Sequence, residues 1–227
     1  MRKTISIIIV MMFAGVMNAE YKVGDIYCPI LQNARWVYTV HHKKNLDPPY
    51  DRTAEITGNE LYDGLDYFSY YSPDSDAKYL IRKDDSGLYI KAARYAVPFL
   101  SFFHFDIIFD PPVYAIKFPM TKGDTWHYEG IASIKALGIF NFPTKVWAKC
   151  THMGIEVIEA AGRTMPAYKL YAELNRDGMD KTFKASFWFG EGVGLAGYES
   201  ENNLLTLKSF EIKPDAAPNT VNAVEKK

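Results

Sequence analysis

One group of residues with a spacing that could do chemistry is a glycine series near the carboxyl end. Gly192, Gly194 and Gly197 satisfy the G-x-G-x-x-G pattern. That pattern binds the pyrophosphate of a dinucleotide when a strand precedes it and a helix follows it. Here the next residues, 198–203, lead toward a turn and another strand. We therefore interpret the glycines as a bulge or bend where another strand packs closely, and we predict no bound cofactor.

A second candidate is the pair His104 and Asp106, which lie two residues apart and would face the same side of a strand. Two such side chains could share a metal ion, but a zinc site requires three or four ligands and the sequence identifies no third. His41 and His42 are adjacent, so on a strand they would face opposite sides. We interpret these residues as polar outward positions on half-buried strands and predict no metal site.

Recognisable nucleophile motifs are absent from the sequence. It contains no G-x-S-x-G and no H-E-x-x-H, and neither cysteine lies in a recognisable catalytic setting. Scattered acidic residues could in principle supply the carboxylate pair of a glycosidase, but a sequence does not show two carboxylates converging across a sheet. An unrecognised hydrolase is therefore kept as an alternative, and we expect a protein without enzymatic activity.

The chain has two cysteines, Cys28 and Cys150. In an oxidising compartment such a pair could close into a disulfide. The alternative is two buried thiols that behave as small hydrophobic residues. Cys28 does not fit a lipidation site, because polar Asp25 and bulky Tyr27 come just before it. The sequence leaves the disulfide and the buried thiols both open.

The most unusual segment runs from Tyr95 to Pro119 and is rich in phenylalanine. One interpretation is an ordinary core strand with a proline-rich exit. The other is an aromatic wall that lines the mouth or interior of a cavity for an apolar ligand or partner. The candidate patch consists of Phe99, Phe102, Phe103, Phe105, Ile107 and Phe109, of which the last four share one face of a strand.

The elements that must position these residues are strands, because the hydrophobic pattern has a period of two almost everywhere. Trp36, Tyr38 and Val40 share one face, and Asp63-Gly64 has the chemistry of a hairpin turn. We count about twelve candidate strands and no long helical pattern, which predicts an all-β protein with little helix. A flat sheet of that size is unusual, so we predict a large curved antiparallel sheet, as a half-barrel or a sandwich.

Three segments divide the chain. Residues 1–19 have the pattern of a signal peptide, with basic Arg2 and Lys3, a short apolar run and a small residue at the expected cleavage site. That apolar run is shorter than the about 20 residues that a spanning helix needs. We predict a single β domain at 20–213 and a disordered tail at 214–227. The mature protein would be periplasmic or secreted, with no transmembrane helix after signal removal.

The composition narrows the class of partner. The chain has 26 Lys and Arg residues against 27 Asp and Glu, and removal of the signal peptide would take away two of the basic residues. Neither sign of charge dominates, so no nucleic-acid partner is indicated. With 48% hydrophobic and 15% aromatic residues, the chain can bury a substantial core.

Four stretches of the chain share a recognisable order of short motifs. They are Tyr27–Ile30 with Arg35–Tyr38, Phe118–Pro119 with Gly123–Trp126, Ala161–Lys169 and Trp188–Leu195. Together they resemble a loose group of exported bacterial β-sheet proteins and lipoproteins of unknown function, whose pattern is a W-x-Y start, an F-P…G-x-x-W turn, an A-G-x-x-x-A-Y hairpin and a W-[YF]-x-x-G-V-G strand. The sequence departs from that pattern at Asn33-Ala34, where a glycine is usual, and in lacking the lipidation cysteine. The resemblance implies a large curved sheet and no catalytic residues.

Taken together, these features predict an exported, non-enzymatic envelope protein that binds a lipid or other apolar ligand, or a protein partner. The first alternative is a structural or assembly protein that pairs with other chains through its sheet edges. The unrecognised hydrolase is the second alternative.

Overall fold

A computed structural model describes residues 23–44, 47–97, 100–136 and 140–213. The predicted signal peptide and tail, and Phe99, lie outside these residues. One short helix, α1 (Val23–Tyr27), precedes the strands, and a 3-10 turn spans Pro73–Ser75. No helix in the described part of the chain is long and apolar enough to cross a membrane. The strands are β1 (Ala34–His42), β2 (Tyr50–Tyr62), β3 (Leu65–Ser72), β4 (Ala77–Lys83), β5 (Gly87–Val97), β6 (Leu100–Lys117), β7 (Thr125–Ala136), β8 (Phe140–Ala160), β9 (Arg163–Arg176), β10 (Phe183–Gly190), β11 (Gly194–Ser200) and β12 (Asn203–Ile212).

The twelve strands form one closed antiparallel barrel, in which each strand pairs with its neighbours in sequence and β1 pairs with β12. Trp36 of β1 lies opposite Ala54 of β2 on one side and Phe210 of β12 on the other. The prediction of an all-β protein with about twelve strands and little helix is confirmed. The predicted half-barrel or sandwich is wrong, because the curling of this sheet continues until its first and last strands meet.

The connections alternate between the two ends of the barrel, as they must when every strand is antiparallel to the next. Asp63-Gly64 is one of the tight turns at the first end, as the sequence predicted. The connection 177–182 between β9 and β10 lies at the second end. Within the described residues these two ends differ, because the first is closed by the amino-terminal segment and the second opens into a cavity.

The barrel interior is filled mainly by apolar side chains. Along β1, alternate residues Ala34, Trp36, Tyr38 and Val40 are buried, which confirms the shared face that the sequence predicts. An eight-stranded barrel is just filled by side chains, whereas barrels of about 16–18 strands leave a channel, so twelve strands leave room for a partial cavity. Two clusters of buried hydrophobic residues pack within the barrel.

Residues 23–31 close the first end of the barrel, which we call the plugged end. The carbonyl oxygen of Ile26 accepts a hydrogen bond of 2.8 Å from the backbone N–H of Gly192. The Nζ of Lys83 donates to the carbonyl oxygen of Cys28 at 3.1 Å. Gly24 packs so closely on the Phe118 ring that a Cβ there would lie 2.6 Å from a ring carbon. The plug is therefore held by three separate parts of the barrel.

Cys28 and Cys150 are free, buried thiols. They belong to the same core cluster, where each packs among aromatic and aliphatic side chains. Burial raises the pKa of the Cys28 thiol to about 12 and that of Cys150 to about 11. The structure does not support the disulfide between them; both behave as small hydrophobic residues, which is the alternative that the sequence left open.

The glycine series lies at the turn from β10 to β11, and no helix follows it. Gly192 and Gly194 have φ values of 73° and 76°, a conformation that favours glycine. The register between β10 and β11 also shifts after Trp188. The prediction of a bend in the sheet at these glycines is therefore confirmed.

Candidate ligand-binding site

Strands β6, β7 and β8 extend farther than the neighbouring strand β9 at the open end. The pairing of β8 with β7 begins at Phe140, whereas its pairing with β9 begins only at Val146. On the other side, β6 pairs with β7 as far as Phe105, which lies opposite Ala136. We call the projecting part, formed by residues 103–109, 131–136 and 140–145, the rim extension.

The inner face of the rim extension is apolar. Directly paired residues of antiparallel strands face the same side, so the register places Phe105 with Phe140, and Ile107 with Phe142, across β7. This face continues the barrel interior, because Ala132 on it is buried. Farther out, the side chains of Phe105, Phe140 and Phe142 are 40%, 50% and 57% exposed. The extension thus shows aromatic rings to solvent on its inward side.

A cavity of about 390 Å³ lies at the base of the rim extension, inside the open end of the barrel. Its lining comes from seven strands and is mainly aliphatic and aromatic. The volume falls in the range of roughly 300–1,000 Å³ that is typical of small-molecule sites. The lining residues are Tyr79, Ile90, Ala93, Tyr95, Ile107, Phe109, Val113, Tyr128, Val146, Trp147, Ala148, Leu174, Asn175, Arg176, Met179 and Phe183.

Tyrosine hydroxyls in the cavity wall are paired with one another or with the backbone. The Tyr95 hydroxyl donates to the Tyr79 hydroxyl at 2.8 Å, and their rings meet edge to face. The Tyr128 hydroxyl donates to the carbonyl oxygen of Pro111 at 2.8 Å. Gly130 leaves room for that hydroxyl, since a Cβ there would lie 2.3 Å from it. Burial raises the pKa of Tyr128 to about 12 and also raises the pKa of Tyr79. All three phenols are therefore neutral at pH 7.

The mouth of the cavity combines exposed apolar side chains with one cation. Trp147, Met179 and Phe183 line the cavity and are substantially exposed. Arg176, the last residue of β9, is the one charged residue among the lining residues that the structure describes. Asn175 is beside it, and its Oδ1 accepts a hydrogen bond of 2.7 Å from the Arg176 backbone N–H.

The structure separates the six residues of the predicted ligand patch. Ile107 and Phe109 line the cavity, and Phe105 lies farther out on the same face. Phe103 is half-buried on β6. Phe99 and the side chain of Phe102 lie outside the described residues. Ligand binding by this patch stays a prediction.

Most of the cavity wall could not be found from the phenylalanine-rich segment. Tyr79, Val146, Leu174 and Phe183 come from four other strands. Each of these residues belongs to the apolar positions that alternate along its own strand, and this alternation predicts a side chain that points into the barrel. Their convergence depends on barrel closure, for which the sequence carries no local signal.

His104 and Asp106 have separate hydrogen-bond partners. His104 Nε2 lies 2.8 Å from Asp76 Oδ2, and this hydrogen bond lowers the pKa of the Asp76 carboxyl. Arg94 Nε donates to Asp106 Oδ1 at 2.5 Å, and its Nη2 donates to Oδ2 at 3.2 Å. No group of three or more potential metal ligands occurs in the described ranges. These two residues therefore serve to link the strands and the connection around them.

His152 is a buried polar side chain near the plugged end and is only 1% exposed. Its ring packs between Trp126 and Tyr168, with centroids 4.8 and 5.2 Å away. Nε2 lies 3.1 Å from the carbonyl oxygen of Lys117, so Nε2 carries the proton. Nδ1 then has no hydrogen-bond partner within the described residues. Burial lowers the pKa of His152, so the ring is neutral at pH 7.

Comparisons with known proteins give distant structural likenesses. No protein-family model matches the chain, and no curated protein matches its sequence. The hypothetical lipoprotein YmcC from Escherichia coli has a TM-score of 0.42 and 9% identity, over 96% of this chain and 99% of its own.

Two further solved structures are similar at the same level. A lipoprotein candidate from Parabacteroides distasonis has a TM-score of 0.45 and 12% identity, over 82% of this chain and 98% of its own. An exported-protein candidate with a YmcC-like fold from Bacteroides fragilis has a TM-score of 0.48 and 10% identity, over 82% of this chain and 99% of its own. The neighbours are thus described as lipoproteins or exported proteins, and they are too distant to assign a function to this chain.

Proposed function

We propose that this protein is an exported, non-enzymatic binding protein that holds an apolar small molecule in the cavity at the open end of its barrel. The observation that carries the proposal is the continuity of the cavity with the exposed apolar face of the rim extension. Ile107 lines the cavity, and Phe142, across β7 from it, is 57% exposed. A ligand that fills the cavity and extends along this face would cover both.

Binding of an apolar ligand would remove apolar surface of the cavity and the rim extension from water. Burial of apolar surface contributes about 25 cal/mol per Å², and an aromatic side chain can bury roughly 150–250 Å². Exposed aromatic rings at a cavity mouth are therefore a source of binding free energy for a hydrocarbon ligand. The lining contains few polar groups, and the hydroxyl of Tyr95 is already hydrogen-bonded to that of Tyr79. The site thus favours an apolar ligand over a polar one.

Barrel closure argues against the alternative function, in which the protein assembles with other chains through its sheet edges. β1 and β12 pair with each other, so neither end of the strand order leaves a free edge along the barrel wall. The Pro143-containing stretch of β8 in the rim extension precedes the start of pairing with β9. Proline has no N–H to donate to a further strand. We therefore favour the ligand site over assembly through strands.

The proposal is tested first by filling the cavity. Val146 lines the cavity on β8, whereas Val157 is exposed on the same strand. Val146→Trp should abolish or strongly weaken binding of the neutral probe Nile red, measured by fluorescence titration, and Val157→Trp should leave it unchanged. Circular dichroism and urea unfolding show whether each variant is folded. Unchanged Nile red affinity in a folded Val146→Trp variant would overturn the proposal.

The rim extension is tested by a second matched pair on the same strand. Phe142 and Ile155 are 57% and 59% exposed, but only Phe142 lies on the rim extension. Phe142→Ser should weaken Nile red binding about fivefold, which corresponds to roughly 1 kcal/mol of lost apolar contact. Ile155→Ser should not change it. Equal affinities for the two variants would remove the rim extension from the site.

A further inference from the structure

We infer that the ligand is an amphiphile with a single hydrocarbon chain and an anionic head group, and that its head group binds Arg176 at the cavity mouth. This inference rests on the proposed function and adds the chemical class of the ligand. Two observations support this ligand class. The first is the position of Arg176 and its unpaired charge, and the second is the size of the cavity.

Among the lining residues that the structure describes, Arg176 is the one that carries a charge. Arg35, Arg82 and Arg94 are each ion-paired with an acidic side chain. Arg52 and Arg163 have no ion pair within the described residues, but they do not line the cavity. The Arg176 guanidinium has no hydrogen bond or ion pair among the described residues, although its backbone N–H bonds to Asn175. It is exposed at the end of β9, so an anion can reach it without displacing a carboxylate.

The nearby carboxylates of the described chain have other partners or positions. Glu173, on the same strand, lies 3.3 Å from Lys184 Nζ. Glu201, at the same end of the barrel, is paired with Lys44 and Lys181. Asp177 and Asp180 lie in the connection that follows Arg176 and do not line the cavity. A carboxylate, phosphate or sulfate head group would thus supply the counter-charge that Arg176 lacks.

The cavity volume points to one chain rather than two. At about 390 Å³, it lies near the lower limit of the roughly 300–1,000 Å³ typical of small-molecule sites. A hydrocarbon tail in the cavity would contact Ile107 and Phe109, while the part nearest the head group would lie against the rim extension. Such a placement puts the charge in water at the mouth and the tail in the barrel, as an amphiphile requires.

The test compares two probes that share a tail and differ in head group, oleate and oleyl alcohol, below their aggregation concentrations. Displacement of Nile red should show that the wild-type protein binds oleate about tenfold tighter than the alcohol, as expected for a charge-assisted hydrogen bond at a partly exposed site. Arg176→Gln should weaken oleate binding about tenfold, so that oleate and the alcohol bind with similar affinity and the preference is lost. Raising the salt concentration should reduce the preference, because ions screen exposed charges.

The matched control is Arg163→Gln. Arg163 is the first residue of β9 and is also exposed, but it lies at the plugged end. The Arg163→Gln variant should retain the preference for oleate over oleyl alcohol. Equal binding of oleate and the alcohol by the wild-type protein, or a preference that survives in Arg176→Gln, would overturn the inference and leave the proposed function standing. Failure of both probes and of Nile red to bind would overturn the proposed function, and this inference with it.

Discussion

The Tyr95 hydroxyl donates a 2.8 Å hydrogen bond to the Tyr79 hydroxyl in the wall of the cavity. The pair joins β4 to β5 on the inner face, where both residues line the cavity. Each hydroxyl therefore reaches a partner without water, and the cavity surface around them remains apolar. This pairing lets tyrosine serve as lining for an apolar ligand, and it makes the two residues interdependent.

The first prediction follows from that interdependence. Tyr79→Phe leaves the Tyr95 hydroxyl without its acceptor, so it should lower the free energy of unfolding by about 1–2 kcal/mol. The double variant Tyr79→Phe/Tyr95→Phe removes both hydroxyls and should be less destabilised than the sum of the two single variants. Urea unfolding of all four proteins measures this cycle. Strictly additive losses would show that the two hydroxyls do not depend on each other.

The sequence predicts which residues of each strand face the cavity, but it does not predict that the strands close into a barrel. The alternation of Phe103, Phe105, Ile107 and Phe109 predicts a shared face, and the register of β6 agrees for the last three. Alternation is a local property, because successive side chains on a strand point to opposite faces. It identifies which residues point inward but does not show how far the sheet curls.

Barrel closure is the part that sequence reasoning could not provide. It depends on the pairing of β1 with β12, such as Trp36 with Phe210, between residues very far apart in the chain. Edge strands of a half-barrel and adjoining strands of a closed barrel have the same period-two pattern. For the same reason Arg176, which is at the end of a strand with no distinctive motif, was not a candidate in the sequence.

The second prediction concerns acid sensitivity and follows from the burial of His152. Its pKa in the folded protein lies below 6.5, which is the ordinary value and the value expected in the unfolded chain. At a pH between the folded and the unfolded pKa, the unfolded chain therefore binds a proton that the folded protein does not bind. The free energy of unfolding should be highest above about pH 6.5 and should fall as the pH drops below that value, with a slope of up to about 1.4 kcal/mol per pH unit.

His152→Gln should remove this part of the pH dependence, and His127→Gln should keep it because His127 is exposed. Urea unfolding at a series of pH values between 5 and 7.5 provides the measurement. The carboxyls with lowered pKa values, such as Asp76 and Glu156, lose their contribution only in more acidic solution. A flat wild-type profile across this range would contradict the assignment to His152.

The third prediction concerns the two thiols. Because burial raises their pKa values to about 12 and about 11, neither Cys28 nor Cys150 should react with a thiol reagent at pH 8 while the protein is folded. Both should react after denaturation without a reductant. A count of thiols with a chromogenic disulfide reagent checks this. No reactive thiol in the denatured, unreduced protein would instead demonstrate a disulfide.

Native mass spectrometry of the protein purified from the cells that naturally produce it shows directly whether the open end of the barrel carries an apolar ligand. We predict one bound molecule per chain, which organic extraction releases and which is absent from the Val146→Trp variant. Detection of only the bare chain, with no apolar compound in the extract of the folded wild-type protein, would show that the cavity binds no such ligand.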